Sequence, residues 1–371
     1  MLITTLKRFE FSAAWRRGAA LTGANFSLWA GVAGPLQPVT GMVVNVSDLK
    51  ALGNAVLDGY DHRNLSAESA LPEPALQSLA GALWDDLAQA VKPPLALAVV
   101  ELQEEGGPAA HLSPHARRSV TYGDFAAAHR THAPRLSDDE NRALYGICNN
   151  PAGHGHNYRA ALYLPPGEDA PPRLWDEFDH VNLSVDIPDL RGRNVVTETI
   201  AELIARRAPR ADRVRVWEWP DFFAEHRRSG GYALGRRYRF NAAHRLHSPA
   251  LSADENARVY GKCNRPEPHG HTYFVEVVVA SARLDPRTET AFDLAELDRE
   301  AQAVLGPLHN RYLEVETPAF RERPSTGENI ARVVGEALAN RLGDALETVT
   351  IWETPNNQFR ARPDGEPKDG R

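Results

Sequence analysis

The stretch that decides the fold runs from Phe125 to Tyr158 and reads FAAAHRTHAPRLSDDENRALYGICNNPAGHGHNY. A second stretch of equal length, from Phe240 to Tyr273, reads FNAAHRLHSPALSADENARVYGKCNRPEPHGHTY. The Phe, His, Cys and HGH positions of the two stretches coincide. Self-similarity of this kind indicates a repeated structural unit, so the chain carries at least two copies of one fold.

A third, degenerate copy lies at the start of the chain. Phe11 to Arg16 reads FSAAWR, with tryptophan in place of the first histidine, and Thr22 to Phe26 reads TGANF, with both later histidines replaced. The excursion that carries the cysteine is missing there. Each copy then ends in an apolar strand with a glutamate, at Glu101, Glu218 and Glu353. We number the copies one to three in chain order.

Gly106 to Ser119 is rich in Gly, Pro and Ala, and Arg227 to Tyr232 contains Ser-Gly-Gly, so both stretches predict linkers between the copies. Alternating segments such as Arg237 to Ala243 predict antiparallel strands, and the spacing of apolar residues from Ala331 to Leu342 predicts a helix. Each copy is therefore expected to be an α+β unit with helices on one face of its sheet. We predict three domains, at residues 1–105, 119–226 and 234–361, and a flexible tail at 362–371.

Composition narrows the class of protein. The chain has 371 residues, 42% of them hydrophobic and 25% charged, with a formal net charge of −7. No basic block is present, so nucleic acid and anionic membranes are poor partners and a small molecule fits better. The longest apolar run, Leu95 to Val100, is too short to cross a bilayer. We expect a cytosolic protein whose two cysteines are free thiols.

The repeated histidines predict two metal centres. Alternate residues of a strand share a face, so His154 and His156 can reach one ion, and His129 can add a third nitrogen across the hairpin. His244, His269 and His271 repeat this arrangement. Three imidazoles with an open fourth position are typical of catalytic zinc, at about two ions per chain. Nickel, iron and cobalt are alternatives that the pattern leaves open.

The two cysteines, Cys148 and Cys263, each precede HGH by the same interval. A thiol beside a metal can become a thiolate and act as a general base, although a fourth-ligand role is the alternative. Two Asp-His pairs, Asp61-His62 and Asp179-His180, are candidates for proton transfer because a carboxylate can orient an imidazole. Glu218 and Glu353 could accept two parallel N–H donors of a heterocycle.

These motifs together resemble the 6-pyruvoyl tetrahydropterin synthase family, which includes the 6-carboxytetrahydropterin synthases. FxAAHR, YGxCN, HGHNY, GMVVNVSDLK (Gly41 to Lys50), DHxNL and WET cover nearly the whole chain in the family's order. The resemblance implies the tunnelling fold, whose subunits form a trimeric ring around a barrel. We therefore expect three tandem units that form a pseudo-trimeric barrel within one chain, and a homodimer of chains.

The resemblance also implies residue roles. It implies zinc ligands at the six histidines, proton transfer by the cysteines with an Asp-His pair, and pterin anchoring by the terminal glutamates. Glu198 and Glu328 are further substrate-binding candidates. The substrate would be 7,8-dihydroneopterin triphosphate, which loses triphosphate by elimination with the metal as Lewis acid.

Three departures from the family pattern matter. Copy one has no ligands and no cysteine, while copy three has His309-Asn310 in place of Asp-His. We therefore expect Asp61-His62 to serve the centre of copy two, and Asp179-His180 to serve that of copy three. Copy two also lacks a clear GMVVNVSDLK segment, so its first helix is expected to be missing or rebuilt.

Three functions remain open on sequence. The interval between cysteine and HGH favours 6-pyruvoyl tetrahydropterin as the product. A 6-carboxytetrahydropterin synthase of queuosine (7-deazaguanine) biosynthesis is the first alternative. A non-catalytic protein that binds a pterin or a metal is the second, since the degenerate copy permits it.

Overall fold

A computed structural model of the chain describes residues 1–68, 71 and 76–363. Nearly all of the tail predicted at 362–371 thus lies outside the described residues. The chain divides into two compact bodies, which we describe separately. The first contains Met1–Arg117, Arg237–Val277 and the described chain from Asp298 onward, and the second contains Arg118–Arg236 and Val278–Leu297. In the described residues, no helix combines the length and hydropathy needed to span a membrane.

Copy one begins with a long hairpin, continues through its helices and ends in two more strands. The elements are β1 (Leu2–Arg17), β2 (Ala20–Ala33), α1 (Val46–Leu57), β3 (Arg63–Asn64), α2 (Leu65–Glu68), α3 (Leu76–Ala90), β4 (Ala96–Glu104) and β5 (Ala109–Ser113).

Copy two repeats the hairpin with a helical excursion inserted at its tip. The elements are β6 (Ala116–His129), α4 (Asp138–Tyr145), β7 (His154–Leu164), β8 (Val181–Asn182), α5 (Thr197–Arg207), β9 (Arg213–Trp219) and β10 (Phe222–Arg227).

Copy three has the excursion and both long helices. The elements are β11 (Tyr232–His244), α6 (Ala253–Tyr260), β12 (His269–Ser281), α7 (Leu294–Leu305), β13 (Arg311–Tyr312), α8 (Leu313–Glu316), α9 (Gly327–Leu342), β14 (Leu346–Thr354) and β15 (Asn357–Arg362). Single-turn 3-10 helices lie at Gly146–Asn149, Leu174–Glu177, Pro188–Leu190, Gly261–Asn264, Gly306–Leu308, Pro318–Phe320 and Gly343–Ala345.

In the first body, the sheets of copies one and three join edge to edge. β1 pairs antiparallel with β2 on one side and with β15 on the other, so that Leu6 lies between Gly31 and Gln358. β15 then pairs with β14 of its own hairpin. Pairing removes the exposed edges that isolated units would present.

In the second body, β7 pairs with β6 and β9, and β9 pairs with β10. β10 also pairs with the start of β11, with Phe222 opposite Arg236, so copy two joins copy three by the same edge-to-edge contact. Strand pairing thus joins copy three to copy one in the first body and to copy two in the second. The expected fold class, three α+β tunnelling-fold units with antiparallel sheets, is confirmed.

Alternation along the strands places one face of each sheet in an apolar core. In copy one Phe9, Phe11 and Ala13 face the helices and are buried with Leu83 and Leu87 of α3. In copy two the corresponding core is closed by α5, whose Ile200 and Leu203 are fully buried. Burial of such aliphatic and aromatic side chains is the main favourable term in folding.

The missing first helix of copy two is confirmed. Residues 165–196 are all described and contain no α-helix, only the 3-10 turns at Leu174–Glu177 and Pro188–Leu190 and the short strand β8. Trp175 occupies the space instead, stacked 6.3 Å from Phe125 and lying over Gly123, where any Cβ would collide with its ring. One large side chain thus replaces part of a helix.

One linker prediction is wrong. Residues 109–113 form β5, paired with β4, and β6 already begins at Ala116, because Ala109, Ala110 and Leu112 are buried despite the small-residue composition. The second predicted linker is a tight turn in which Gly230 and Gly231 take positive φ angles of 104° and 102°.

Candidate metal centres

The hairpin of copy two brings its three predicted ligands together. His129 lies opposite His154 on the neighbouring strand, and His156 lies opposite Ala127, so both HGH histidines face the same side as His129. Their candidate ligand atoms all lie within 4.8 Å of one another, and the same is true of His244, His269 and His271 in copy three.

The ring nitrogens of copy two fit a metal. Nδ1 of the buried His129 lies 2.8 Å from the carbonyl oxygen of Val195, which accepts its proton and leaves the Nε2 lone pair directed at the centre. Nε2 of His129, His154 and His156 is buried and has no hydrogen-bond partner among the described residues. Unpaired buried nitrogens are costly, and a metal ion would satisfy all three.

Copy three repeats this geometry. Nδ1 of His244 lies 3.2 Å from the carbonyl oxygen of Ser325, and its Nε2 approaches Nε2 of His269 at 3.0 Å. Burial lowers the pKa of His244 to about 3, so the ring is neutral at physiological pH. Burial also lowers the pKa of His129, His156, His269 and His271. Neutral imidazole is the form that binds metals.

Local signals in the sequence place each cysteine loop. Ser137 and Glu140 form a capping box that starts α4, and Gly146 ends the helix with a φ of 52°. The chain then turns so that the carbonyl of Cys148 accepts a hydrogen bond from the N–H of Thr131, two residues beyond His129, at 3.0 Å. Copy three repeats the bond between Leu246 N–H and Cys263 at 2.9 Å.

The thiols are half-buried, and no disulfide joins them. Burial raises the pKa of both Cys148 and Cys263, with a smaller rise from Glu218 and Glu353 respectively. Lys262 opposes the rise at Cys263. A thiol in this state needs a nearby positive charge to become a thiolate.

A glutamate borders each triad. Glu218 lies 3.4 Å from Nε2 of His156 and accepts a hydrogen bond from Thr197 Oγ1 at 2.7 Å. Glu353 lies 3.8 Å from Nε2 of His244, and burial raises its pKa to about 7.

In copy one, Glu101 is not the structural equivalent of Glu218. Trp217 pairs with Arg159, one residue after Tyr158, whereas in copy one Glu104 pairs with Phe26, the counterpart of Tyr158. Glu104 therefore takes the place of Glu218, and the correspondence expected for Glu101 is wrong by three residues.

Two further glutamates, Glu198 and Glu328, are buried at the start of the last helix of copies two and three. Each accepts a backbone N–H from a different copy: Ala291 N–H donates to Glu198 at 3.0 Å, and Val43 N–H donates to Glu328 at 3.3 Å. Burial raises the pKa of both carboxyls to about 7. Sequence analysis missed these contacts between copies because the partners lie far apart in the chain.

The segments that reach these glutamates correspond to each other. Gly41 in copy one has a φ of 68°, and a Cβ there would lie 2.3 Å from Asn329 Nδ2, so glycine allows the segment to lie against α9. Glu289 takes the same place in copy three with a φ of 55°, and its carboxylate accepts from Asn194 N–H at 2.6 Å.

The Asp-His pairs are exposed at the short strands β3 and β8. Asp61 accepts from Ser12 N–H and contacts His62 Nδ1, and Asp179 does the same with Ala126 N–H and His180. These backbone hydrogen bonds are the main reason that the pKa of both carboxyls is lowered. In copy three, His309 Nδ1 accepts the equivalent N–H, from Asn241, so a histidine replaces the aspartate.

Comparison with known proteins decides the family. The model of the 6-pyruvoyl tetrahydropterin synthase family matches three times, at residues 6–114, 120–229 and 233–364. The chain belongs to this family. The predicted enzyme class, a lyase of the 6-pyruvoyl tetrahydropterin synthase type, is thereby confirmed.

Individual members of the family match one copy each. Human 6-pyruvoyl tetrahydrobiopterin synthase is 39% identical over 126 residues, which cover 33% of this chain and 86% of that protein. A putative 6-pyruvoyl tetrahydrobiopterin synthase of Caenorhabditis elegans is 40% identical over 122 residues, covering 32% and 86%. A solved Caenorhabditis elegans 6-pyruvoyl tetrahydropterin synthase aligns at 37% identity and a TM-score of 0.35, covering 36% of this chain and 95% of that one.

Proposed function

We propose that the chain is a zinc-dependent lyase that converts 7,8-dihydroneopterin triphosphate to 6-pyruvoyl tetrahydropterin with loss of triphosphate. The observation that carries this proposal is the repeated cluster of three histidines beside one cysteine and two glutamates. Copies two and three each contain that set, whereas copy one has neither the three histidines nor the cysteine. A cytosolic location stays a prediction.

Each residue type has a defined task in this chemistry. Glu218 and Glu353 accept N–H donors of the pterin ring and fix its orientation, supported by Glu198 and Glu328. The zinc, bound by each histidine triad at about two ions per chain, supplies a Lewis acid that acidifies the substrate side chain. The thiolates of Cys148 and Cys263 remove and return protons at the side-chain carbons. An Asp-His pair holds the proton between these steps.

Each pocket is completed by another copy. Residues 41–45 of copy one reach Glu328, and residues 289–293 of copy three reach Glu198. Copy two has no such segment, and copy one has lost its histidine ligands. The two losses match each other, which supports two composite sites per chain.

We retain the proposal that Asp61-His62 serves the centre of copy two and Asp179-His180 that of copy three. We also propose that two chains associate. Val185 and Val315 occupy the same place in copies two and three and are both exposed apolar residues, which a partner chain would cover. Light scattering that gives the mass of a single chain would contradict this association.

The test is incubation of the zinc-loaded chain with 7,8-dihydroneopterin triphosphate and identification of the product by mass. Release of triphosphate together with 6-pyruvoyl tetrahydropterin is expected. The mass of 6-carboxytetrahydropterin would assign the chain to the other branch of the family. Absence of turnover by chains that contain zinc would contradict a catalytic role.

A further inference from the structure

The two centres have the same three histidine ligands at corresponding positions, but they differ at two neighbouring positions. The residue before the cysteine is Ile147 in copy two and Lys262 in copy three. The residue after the terminal glutamate is Trp219 in copy two and Thr354 in copy three. Each pair occupies the same place in its copy, so one chain offers an internal comparison.

The border of the copy-two centre is apolar and exposed. Ile147 has 91% of its surface exposed, and Trp219 has 60% exposed while its ring lies 5.5 Å from that of His156, edge to face. Neither side chain is part of a core, so folding does not explain its apolar character. Exposed apolar groups at a binding site are typical of contact with a ligand.

The border of the copy-three centre is charged. Lys262 lies in the single-turn helix Gly261–Asn264, directly before Cys263, and its side chain is exposed. The loop from Cys263 to His269 also contains Arg265 and Glu267, whereas the corresponding loop of copy two, from Cys148 to His154, has no charged residue between its ends.

We infer that the two sites prefer different pterins: the copy-three site binds the triphosphate ester more tightly through Lys262, and the copy-two site prefers a pterin with an uncharged side chain. This inference rests on the proposed function. A triphosphate carries several negative charges, and an exposed cation at the border of the site attracts them. In copy two, Ile147 and Trp219 offer apolar contact and no compensating charge.

The test is equilibrium titration of the zinc-loaded full-length chain carrying Cys148→Ala and Cys263→Ala, which binds without turnover. With 7,8-dihydroneopterin triphosphate we expect two phases that differ roughly fivefold in Kd, the size of effect typical of an exposed charge. Lys262→Ile should remove the tighter phase, and Lys262→Arg should keep it. Ile147→Lys should convert the weaker phase to the tighter one.

The matched ligand is 7,8-dihydroneopterin, which lacks the phosphates. For this ligand the copy-two site should bind more tightly than the copy-three site, and Trp219→Thr should remove that tighter phase. The difference for the triphosphate should shrink with added salt because exposed charges are screened. Equal Kd values at the two sites, unchanged by Lys262→Ile and Ile147→Lys, would overturn the inference even in an active enzyme. If the proposed function is wrong, the two predicted binding phases would instead be observed while the wild-type chain shows no turnover.

Discussion

Copies one and two form the same hairpin, but the side chains at the ligand positions differ. Trp15 lies opposite Thr22 in copy one, just as His129 lies opposite His154 in copy two. Trp15 packs 5.7 Å from Phe26, where His129 lies 6.1 Å from Tyr158. The fold therefore accepts an apolar filling at this place, and copy one uses it. Histidines with unpaired buried nitrogens are retained elsewhere for chemistry rather than for folding.

The comparison predicts the largest effect for the cysteines, which only copies two and three carry. Cys148→Ala together with Cys263→Ala should lower kcat at least roughly a hundredfold, the usual cost of losing a proton-transfer group. Each single variant should keep about half of the wild-type kcat at saturating substrate, because the other site is intact. Loss of all activity in either single variant would show that the sites do not act independently.

A smaller effect is expected for the Asp-His pair of copy two. Asp179→Asn with His180→Ala should silence the copy-three site and leave about half of kcat at saturating substrate. In a Cys148→Ala background, which leaves only the copy-three site, the same change should abolish turnover. If it abolishes turnover in a Cys263→Ala background instead, the pair serves its own copy. His180 does line a shallow groove of about 530 Å³ with His156, which makes this control necessary.

The junction between copies one and three predicts a pH-dependent effect on stability. Burial raises the pKa of Glu328 to about 7 from an ordinary value of 4.5. Between these values the folded chain holds more protons than the unfolded chain, so this carboxyl weakens folding as pH rises from about 4.5 to about 7. Glu328→Gln should remove that contribution, on the order of 1–3 kcal/mol. Denaturant titrations at several pH values measure it, with Glu198→Gln as the matched variant. An unchanged pH slope would contradict the assignment.

The smallest effect is expected when copy two is given the residues of copy one. His154→Thr with His156→Ala should leave the free energy of unfolding of the metal-free chain within about 1 kcal/mol of the wild type, because copy one folds with this pair. Added zinc should stabilise the variant less than the wild type, since one site is lost. A large loss of stability without metal would show that the histidines also support the fold.

Much of this organisation was predictable because it is local. Both histidine triads follow from alternation along a strand, and α9 contains the helix that was predicted from Ala331 to Leu342. The linker at residues 106–119 was wrong because composition cannot reveal that Ala110 and Leu112 are buried. Glu101 was misplaced because strand register depends on pairing and not on motif spacing.

The contacts of Glu198 and Glu328 were beyond sequence patterns because their partners, Ala291 and Val43, come from other copies. The sequence did contain one indication of these contacts: the segment that makes them is present in only two of the three copies. Residues 41–45 and 289–293 correspond, and copy two has no counterpart. Only the structure shows that these two segments reach the buried glutamates of other copies.

The central claim is that the chain holds two metal centres, in copies two and three, and none in copy one. The most direct measurement is the zinc content per chain of the purified protein, together with the variants His129→Ala and His244→Ala. We predict about two ions in the wild type, about one in each variant and close to none in the double variant. Equal zinc content in all four proteins, or one ion in the wild type, would contradict the claim.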